Sequence, residues 1–195
     1  MSVMKNIFDT ICARGEHVCP WWACYFFDNP ARKLFQNPYE ILSPYVKQGF
    51  TAIDIGPGMG YFTIPLLKLV GKDGKVIAID IQEKMLAVLK RRAIKAGVAS
   101  RLITHLSEPD DFGLKEKADF ILAFWMLHEV TDKINFLKHI KKLMKRTASA
   151  LIVEPRLHVT KTAFDRTIQM AEESGLKIRA YPAISLSRAI LLRQS

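Results

Sequence analysis

The sequence predicts an α/β protein built on a doubly wound, mostly parallel sheet of seven strands. One strand near the C-terminal end runs antiparallel, helices cover both faces, and a short helical cap precedes the sheet. Three observations carry this expectation. From Thr51 onward, short runs rich in Ile, Val and Ala alternate with longer stretches of helical period, the pattern of a sheet buried on both faces. A glycine-rich loop, "DIGPGMG", joins the first such run to the first helical stretch. The last two apolar runs follow each other with no helix between them, which predicts a hairpin and hence an antiparallel strand.

Taken in order, "TAIDI" reads as the first strand and "YFTIPLLKLV" as its helix. "KVIAIDI" is the second strand, and "QEKMLAVLKRRAIKAG" a helix closing on Gly97. "RLITHL" is the third strand, followed by the polar segment "SEPDDFGLKEK". "ADFILAF" is the fourth, "DKINFLKHIKKLMKR" its helix, and "SALIVEP" the fifth. "KTAFDRTIQMAEESG" is a last helix with Gly175 as its stop signal, before the final strands "LKIRAYPAI" and "LSRAILLRQ". Residues 1–47 do not share this rhythm: they are aromatic-rich and broken by Pro20, Pro30, Pro38 and Pro44. That segment is too short to bury its own core and reads as a cap on the core of residues 48–195. The 195 residues are expected to form a single domain.

Composition narrows the class. Half of the chain is apolar and a quarter charged, ordinary for a globular protein, and the longest apolar runs are too short to cross a bilayer. The N-terminus lacks the apolar core of a secretory signal, so a cytoplasmic protein without membrane insertion is expected. Cys12, Cys19 and Cys24 are spaced unlike a structural zinc site and read as small apolar thiols, with no metal expected. The net charge of +10 sits mainly on the two basic helical stretches. Such faces are usually solvated, although they also attract phosphate, so composition leaves a nucleic-acid partner open.

The glycine loop carries the chemistry. Backbone N–H groups at a strand-to-helix turn offer a ligand bare hydrogen-bond donors beside the positive end of a helix. The spacing Gly56-x-Gly58-x-Gly60 departs from a dinucleotide fingerprint, since Tyr61 stands where a third small residue is needed. There is no Lys-Ser/Thr ending for a triphosphate either. Asp54, two residues before the first glycine, would repel a pyrophosphate and favour a cationic ligand. Asp80 ends the second strand 22 residues after Gly58, where a carboxylate can accept hydrogen bonds from a ribose diol. A ligand with a ribose, a positive group and no phosphate describes S-adenosylmethionine.

The run Asp54-Ile55-Gly56-Pro57-Gly58-Met59-Gly60 resembles the Asp-x-Gly-x-Gly-x-Gly motif of class I S-adenosylmethionine-dependent methyltransferases, and residues 51–154 are similar to their Rossmann-like core. Within that class the chain resembles small-molecule enzymes of the ubiquinone/menaquinone-biosynthesis type, whose fourth strand often ends in a Leu-His pair, here Leu127-His128. The resemblance implies that Asp54 and the loop from Gly56 and Pro57 through Gly58 and Gly60 to Tyr61 hold the methionine part. It implies that Asp80 binds the ribose hydroxyls and Ile81 packs on the adenine. Ala123 and Phe124 would lie near the methionine end. Ser107 and Glu108 occupy the place of a Gly-Asp-Ala run that contacts the adenine amine, and the sequence departs from the family there. The product would be S-adenosyl-L-homocysteine.

On the acceptor side, His128 and Glu129 follow strand four at the ligand-bearing edge and are candidates for a base. Trp22, Asp28 and Asn29 in the cap are candidates for acceptor contact. The expected reaction is in-line methyl transfer to a small molecule. An RNA or protein acceptor is the rival that the +10 charge favours, a non-catalytic S-adenosylmethionine-binding module is another, and a thiol or metalloid acceptor has only the three cysteines behind it.

Overall fold

The computed structural model describes residues 32, 34–108 and 111–195. Trp22, Asp28, Asn29 and the three cysteines lie outside these residues. Seven strands form one sheet: β1 (Thr51–Ile55), β2 (Lys75–Asp80), β3 (Leu102–Leu106), β4 (Ala118–Phe124), β5 (Met144–Pro155), β6 (Leu176–Ala180) and β7 (Ser187–Gln194), in the order β3-β2-β1-β4-β5-β7-β6. The first five pair in parallel, and β7 runs antiparallel to both its neighbours, β5 and β6. Helix α1 (Pro38–Leu42) precedes β1, and α2 (Thr63–Leu69), α3 (Glu83–Lys95), α4 (Lys133–Leu143) and α5 (Lys161–Glu173) follow β1, β2, β4 and β5. The doubly wound sheet expected from the sequence is thus the fold observed.

Strict alternation along the strands divides the core into two layers. Ile53, Ile55, Ile77, Ile79, Ile121 and Ile152 face α4 and α5, burying Phe136, Leu137, Ile140, Phe164 and Ala171. Ala52, Val76, Phe120, Leu122, Leu151 and Val153 face the opposite side, against Leu42, Phe62, Leu66, Leu67 and Ala93. Two-sided burial is why these strands read as nearly continuous apolar runs. Local signals set the helix limits. Asp132 and Thr160 cap α4 and α5 by accepting the N–H groups of Asn135 at 2.9 Å and Ala163 at 3.2 Å.

Two boundaries differ from the sequence expectation. Helix α4 stops at Leu143, and Met144, fully buried, already pairs with Ala118. Lys145 is drawn back by Asp119, whose Oδ2 accepts its Nζ at 2.7 Å and the Thr51 N–H at 2.9 Å. The basic stretch expected to finish the helix therefore opens a 12-residue strand, with a register shift between Ala118 and Phe120. Strand β6 ends at Ala180, before Pro182, whose missing N–H suits a loop better than a ladder. Among the described residues no helix is long and apolar enough to cross a membrane.

Candidate active site

The carboxyl ends of β1, β2, β4 and β5 bring most of the predicted site residues together. The loop after β1 is the centre. Gly56 holds φ +66°, and a Cβ there would stand 3.0 Å from Cβ of Met126, so a side chain would push apart the turns after β1 and β4. Gly58, at φ +54°, has nothing within 4 Å of where a Cβ would stand: the loop is open on that side. Asp54, on β1, is 2% exposed, and its Oδ2 accepts the Thr63 hydroxyl at 2.7 Å. Burial pushes this carboxyl up to about 7, with Thr63 opposing and the neighbouring Asp80 adding to the rise. A carboxyl so placed regains its charge when a cation binds beside it.

Asp80 closes β2 at 9% exposure. Burial raises it to about 6, against hydrogen bonds from the backbone N–H groups of Gln82, Gly58 and Ile81. The Gln82 bond is 2.9 Å long. Ile81 beside it is 38% exposed, a large apolar side chain standing free at the edge. The Ser107 N–H donates to the Asp80 carbonyl at 3.0 Å, so β3 delivers Ser107 to the same rim. Glu108 forms an isolated bridge with Asp111 further along it. Ala123 is buried in the β4 ladder beside Ile55, and Phe124, 8% exposed, stacks on Phe62 with ring centroids 4.0 Å apart.

These residues fit the group that the sequence implies. Glycine backbone opens on empty space, a buried carboxyl favours a cation, a second carboxylate keeps lone pairs for a diol, and an exposed isoleucine offers an apolar face.

Around this loop the structure gathers four residues that the sequence pattern does not single out. Glu154, 2% exposed at the end of β5, accepts the Leu127 N–H on Oε1 at 3.0 Å and meets His128 Nδ1 with Oε2 at 2.9 Å. His128 stacks on His158, ring centroids 5.9 Å apart and nearly parallel. Burial pulls the His128 imidazole down, yet the Glu154 hydrogen bond and charge, with Glu129, outweigh it and leave His128 above its ordinary value against the opposing Lys133. A lone carboxylate closing the apolar run "ALIVEP" is the signal that points to Glu154. Glu129 lies in the 3₁₀ turn Leu127–Glu129 beside His128.

Arg32 and Gln36 have no comparable signal. The Arg32 guanidinium carbon lies 4.4 Å from the Tyr61 ring centroid, 4.5 Å from that of Trp125, and 5.5 Å from those of Phe62 and Phe124. Its Nε donates to Gln36 Oε1 at 2.9 Å. Gln36, 1% exposed, donates through Nε2 to the Ser185 carbonyl at 2.9 Å and to Ser187 Oγ at 3.1 Å. Its own carbonyl accepts the Tyr61 hydroxyl at 2.8 Å. Burial pushes the Tyr61 phenol up, and Arg32 holds it back. Trp125 completes the cluster: Nε1 donates to Ser187 Oγ at 2.9 Å while the backbone holds φ +57°, a strained region for a bulky residue. Among the described residues no group of three or more His, Cys, Asp or Glu could hold a metal ion.

Comparison with known proteins adds a family. Residues 46–183 match a family model described as a methyltransferase domain. A ubiquinone/menaquinone biosynthesis C-methyltransferase of Xylella fastidiosa is 28% identical over 117 residues, covering 60% of this chain and 46% of that protein. A ribosomal protein L11 methyltransferase of Dictyoglomus turgidum is 29% identical over 140 residues, covering 71% of this chain and 42% of that protein. The chain spans about half the length of the curated relatives it matches. A crystal structure of a SAM-dependent methyltransferase from Aquifex aeolicus superposes with a TM-score of 0.81 at 24% identity, covering 89% of this chain and 97% of the other.

Proposed function

This chain belongs to the methyltransferase domain family, and on that premise we propose that it transfers a methyl group from S-adenosylmethionine to a small-molecule acceptor. The observation that carries the reading is the open glycine loop between the two buried carboxyls Asp54 and Asp80. When bound, the cofactor supplies an electrophilic methyl on a sulfonium. The protein supplies binding, alignment and exclusion of water.

In this reading Asp80 takes the ribose hydroxyls with the lone pairs that its backbone donors leave free. Ile81 covers the adenine, and the Gly56–Gly60 backbone cradles the methionine part with Pro57 setting the turn. Asp54 answers the ammonium from beneath the loop. Ser107 and Glu108 form the adenine rim, while Ala123 and Phe124 floor the methionine end. His128 takes the acceptor proton on Nε2, because Glu154 occupies Nδ1 and stabilises the resulting imidazolium. Glu129 adds negative charge nearby. Trp22, Asp28 and Asn29 remain proposals for the acceptor wall in a cap spanning residues 1–47.

Small-molecule acceptors are supported by the quinone-biosynthesis relatives. The second reading, a protein or RNA acceptor, is favoured by the L11 methyltransferase relative and the +10 net charge. Calorimetry on the purified protein tests the cofactor assignment: S-adenosylmethionine and S-adenosylhomocysteine should bind and NAD should not. Binding of NAD without response to either sulfur ligand would overturn it. Salt titration of RNA binding separates the acceptor readings, since a steep slope belongs to phosphate neutralisation.

A further inference from the structure

The loop between Gly56 and Gly60 is held by contacts that arrive from β2 and α3. The Gly56 N–H donates to the Ile79 carbonyl at 2.9 Å, and the Gly58 N–H donates to the Asp80 carboxylate. Leu89 of α3, fully buried, fills the room that Gly60 leaves, so a Cβ on Gly60 would collide with Leu89 Cδ1. One turn further along α3, the Arg92 guanidinium donates through Nη1 to the Met59 carbonyl at 3.2 Å, with Nη2 3.9 Å from Met59 Sδ. The cofactor reading uses Asp80, and Leu89 is packing. Arg92 is the contact which that reading leaves without a role.

The bond falls at a decisive place in the loop. The Gly60 N–H donates to the Pro57 carbonyl at 3.0 Å, closing a four-residue turn with Gly58 at φ +54° in its second position. Glycine takes either sign of φ freely, so such a turn needs outside contacts to fix it. The peptide joining Met59 to Gly60 is planar, and a partner on each side sets its orientation. Pro57 takes its N–H and Arg92 takes its C=O. Met59 thereby turns inward, 4% exposed, and the turn presents its other side to the space where nothing stands within 4 Å of the missing Gly58 Cβ.

We propose that Arg92 is a positioning residue for the methyl donor: by holding the Met59 carbonyl it locks the Pro57–Gly60 turn, before any ligand arrives, in the shape that receives the amino and carboxylate groups of the methionine part. This rests on the S-adenosylmethionine reading above. The β2–α3 unit then holds one ligand in two ways. It takes the ribose directly, through Asp80, and the methionine part indirectly, through Arg92 and the turn. A ligand without the amino-acid group gains nothing from the second hold.

5′-Methylthioadenosine keeps the adenine, ribose and thioether and lacks the methionine amino and carboxylate groups, so it reads the first hold alone. Calorimetry on the full chain compares it with S-adenosylmethionine and S-adenosylhomocysteine. Arg92→Met keeps an aliphatic stem on α3 and removes the donors. It should weaken both amino-acid-bearing ligands about tenfold, the value of one hydrogen bond to a charged group, and leave methylthioadenosine binding unchanged. Arg92→Lys keeps a donor for the carbonyl and should recover most of the loss. Equal weakening of all three ligands overturns the proposal, because Arg92 would then support the fold at large. Unchanged affinities in a folded Arg92→Met overturn it too. Hydrogen exchange of the ligand-free wild type needs no substitution: the Gly60 amide should be protected to within about tenfold of the Ile64 amide, which donates to the Gly60 carbonyl at 3.1 Å. Fast exchange at Gly60 beside a protected Ile64 means an unlocked turn and overturns the proposal even if both variants fail to fold. Failure of the wild type to bind either S-adenosyl ligand defeats the methyl-donor reading itself, an outcome distinct from the others.

Discussion

Replacing Glu154 separates its two hydrogen bonds, and pH tells them apart. In Glu154→Ala, the N–H of Leu127, itself 1% exposed, loses its acceptor at a cost of about 1–3 kcal/mol. One buried methylene goes as well, at about 0.8 kcal/mol, and relief from burying a charge offsets part of the total. A net loss of about 1–3 kcal/mol is expected. Glu154→Gln keeps an acceptor for Leu127 and removes only the charge facing His128, so about 1 kcal/mol should go. That smaller loss must depend on pH. Glu154 helps to raise the folded-state pKa of His128 above its ordinary value of 6.5. A raised value stabilises the fold fully below the unfolded pKa, and the contribution fades as pH rises through the folded one. The gap between wild type and Glu154→Gln should therefore be widest near pH 5.5 and shrink by pH 8.5. Urea unfolding across that range measures it, and the titrations of Asp54 and Asp80 cancel because both proteins share them. A gap that is constant, or that widens with pH, would refute the pairing of Glu154 with a chargeable His128.

Two other outcomes follow from the carboxyls under the loop. Asp80→Ala should weaken S-adenosylmethionine binding by about 1.5–3 kcal/mol, the range for hydrogen bonds to a charged group, with the fold intact; calorimetry checks it, and unchanged affinity in a folded variant removes Asp80 from the site. Asp54, raised to about 7, favours the fold while protonated, and that contribution is lost as pH climbs from about 3.8 through 7. Asp54→Asn should flatten this part of the stability–pH curve in the ligand-free protein, read by thermal melts, while weakening S-adenosylmethionine; a curve identical to wild type contradicts the burial argument.

The seven-stranded, mostly parallel sheet with its antiparallel C-terminal strand was legible in the sequence because two-sided burial writes itself as apolar runs, whereas the strand order was not, because no local period records which strands become neighbours. Asp54 and Asp80 were legible for a related reason: a carboxylate ending an apolar strand has few uses. The end of α4 was not, because Met144 and Lys145 continue the helical period and only the partners Ala118 and Asp119, some 26 residues away, pull them into a strand. The ring cluster around Arg32 was invisible for a similar cause. Tyr61, Phe62, Phe124 and Trp125 come from two distant segments, and nothing in "ARKLFQ" marks Arg32 as the residue that would lie among them. Pairings set by tertiary approach leave no local period to read.

The placement of β7 between β5 and β6 also governs how the chain is made. Strands β1 to β5 leave the ribosome in time to pair with one another, but the outer edge of β5, from Ser149 to Pro155, is reserved for residues Ser187 to Arg193. At about 5–20 residues per second, those arrive roughly 2–8 s later. Until then an apolar ladder of unsatisfied N–H and C=O groups faces other nascent chains, and β6, synthesised first, has no partner because it pairs only with β7. Completion of the sheet is thus an insertion, in which the final strand must enter between an exposed edge and a waiting one. Slowing translation across the α5–β6 stretch should then lengthen the time for which that edge stays open.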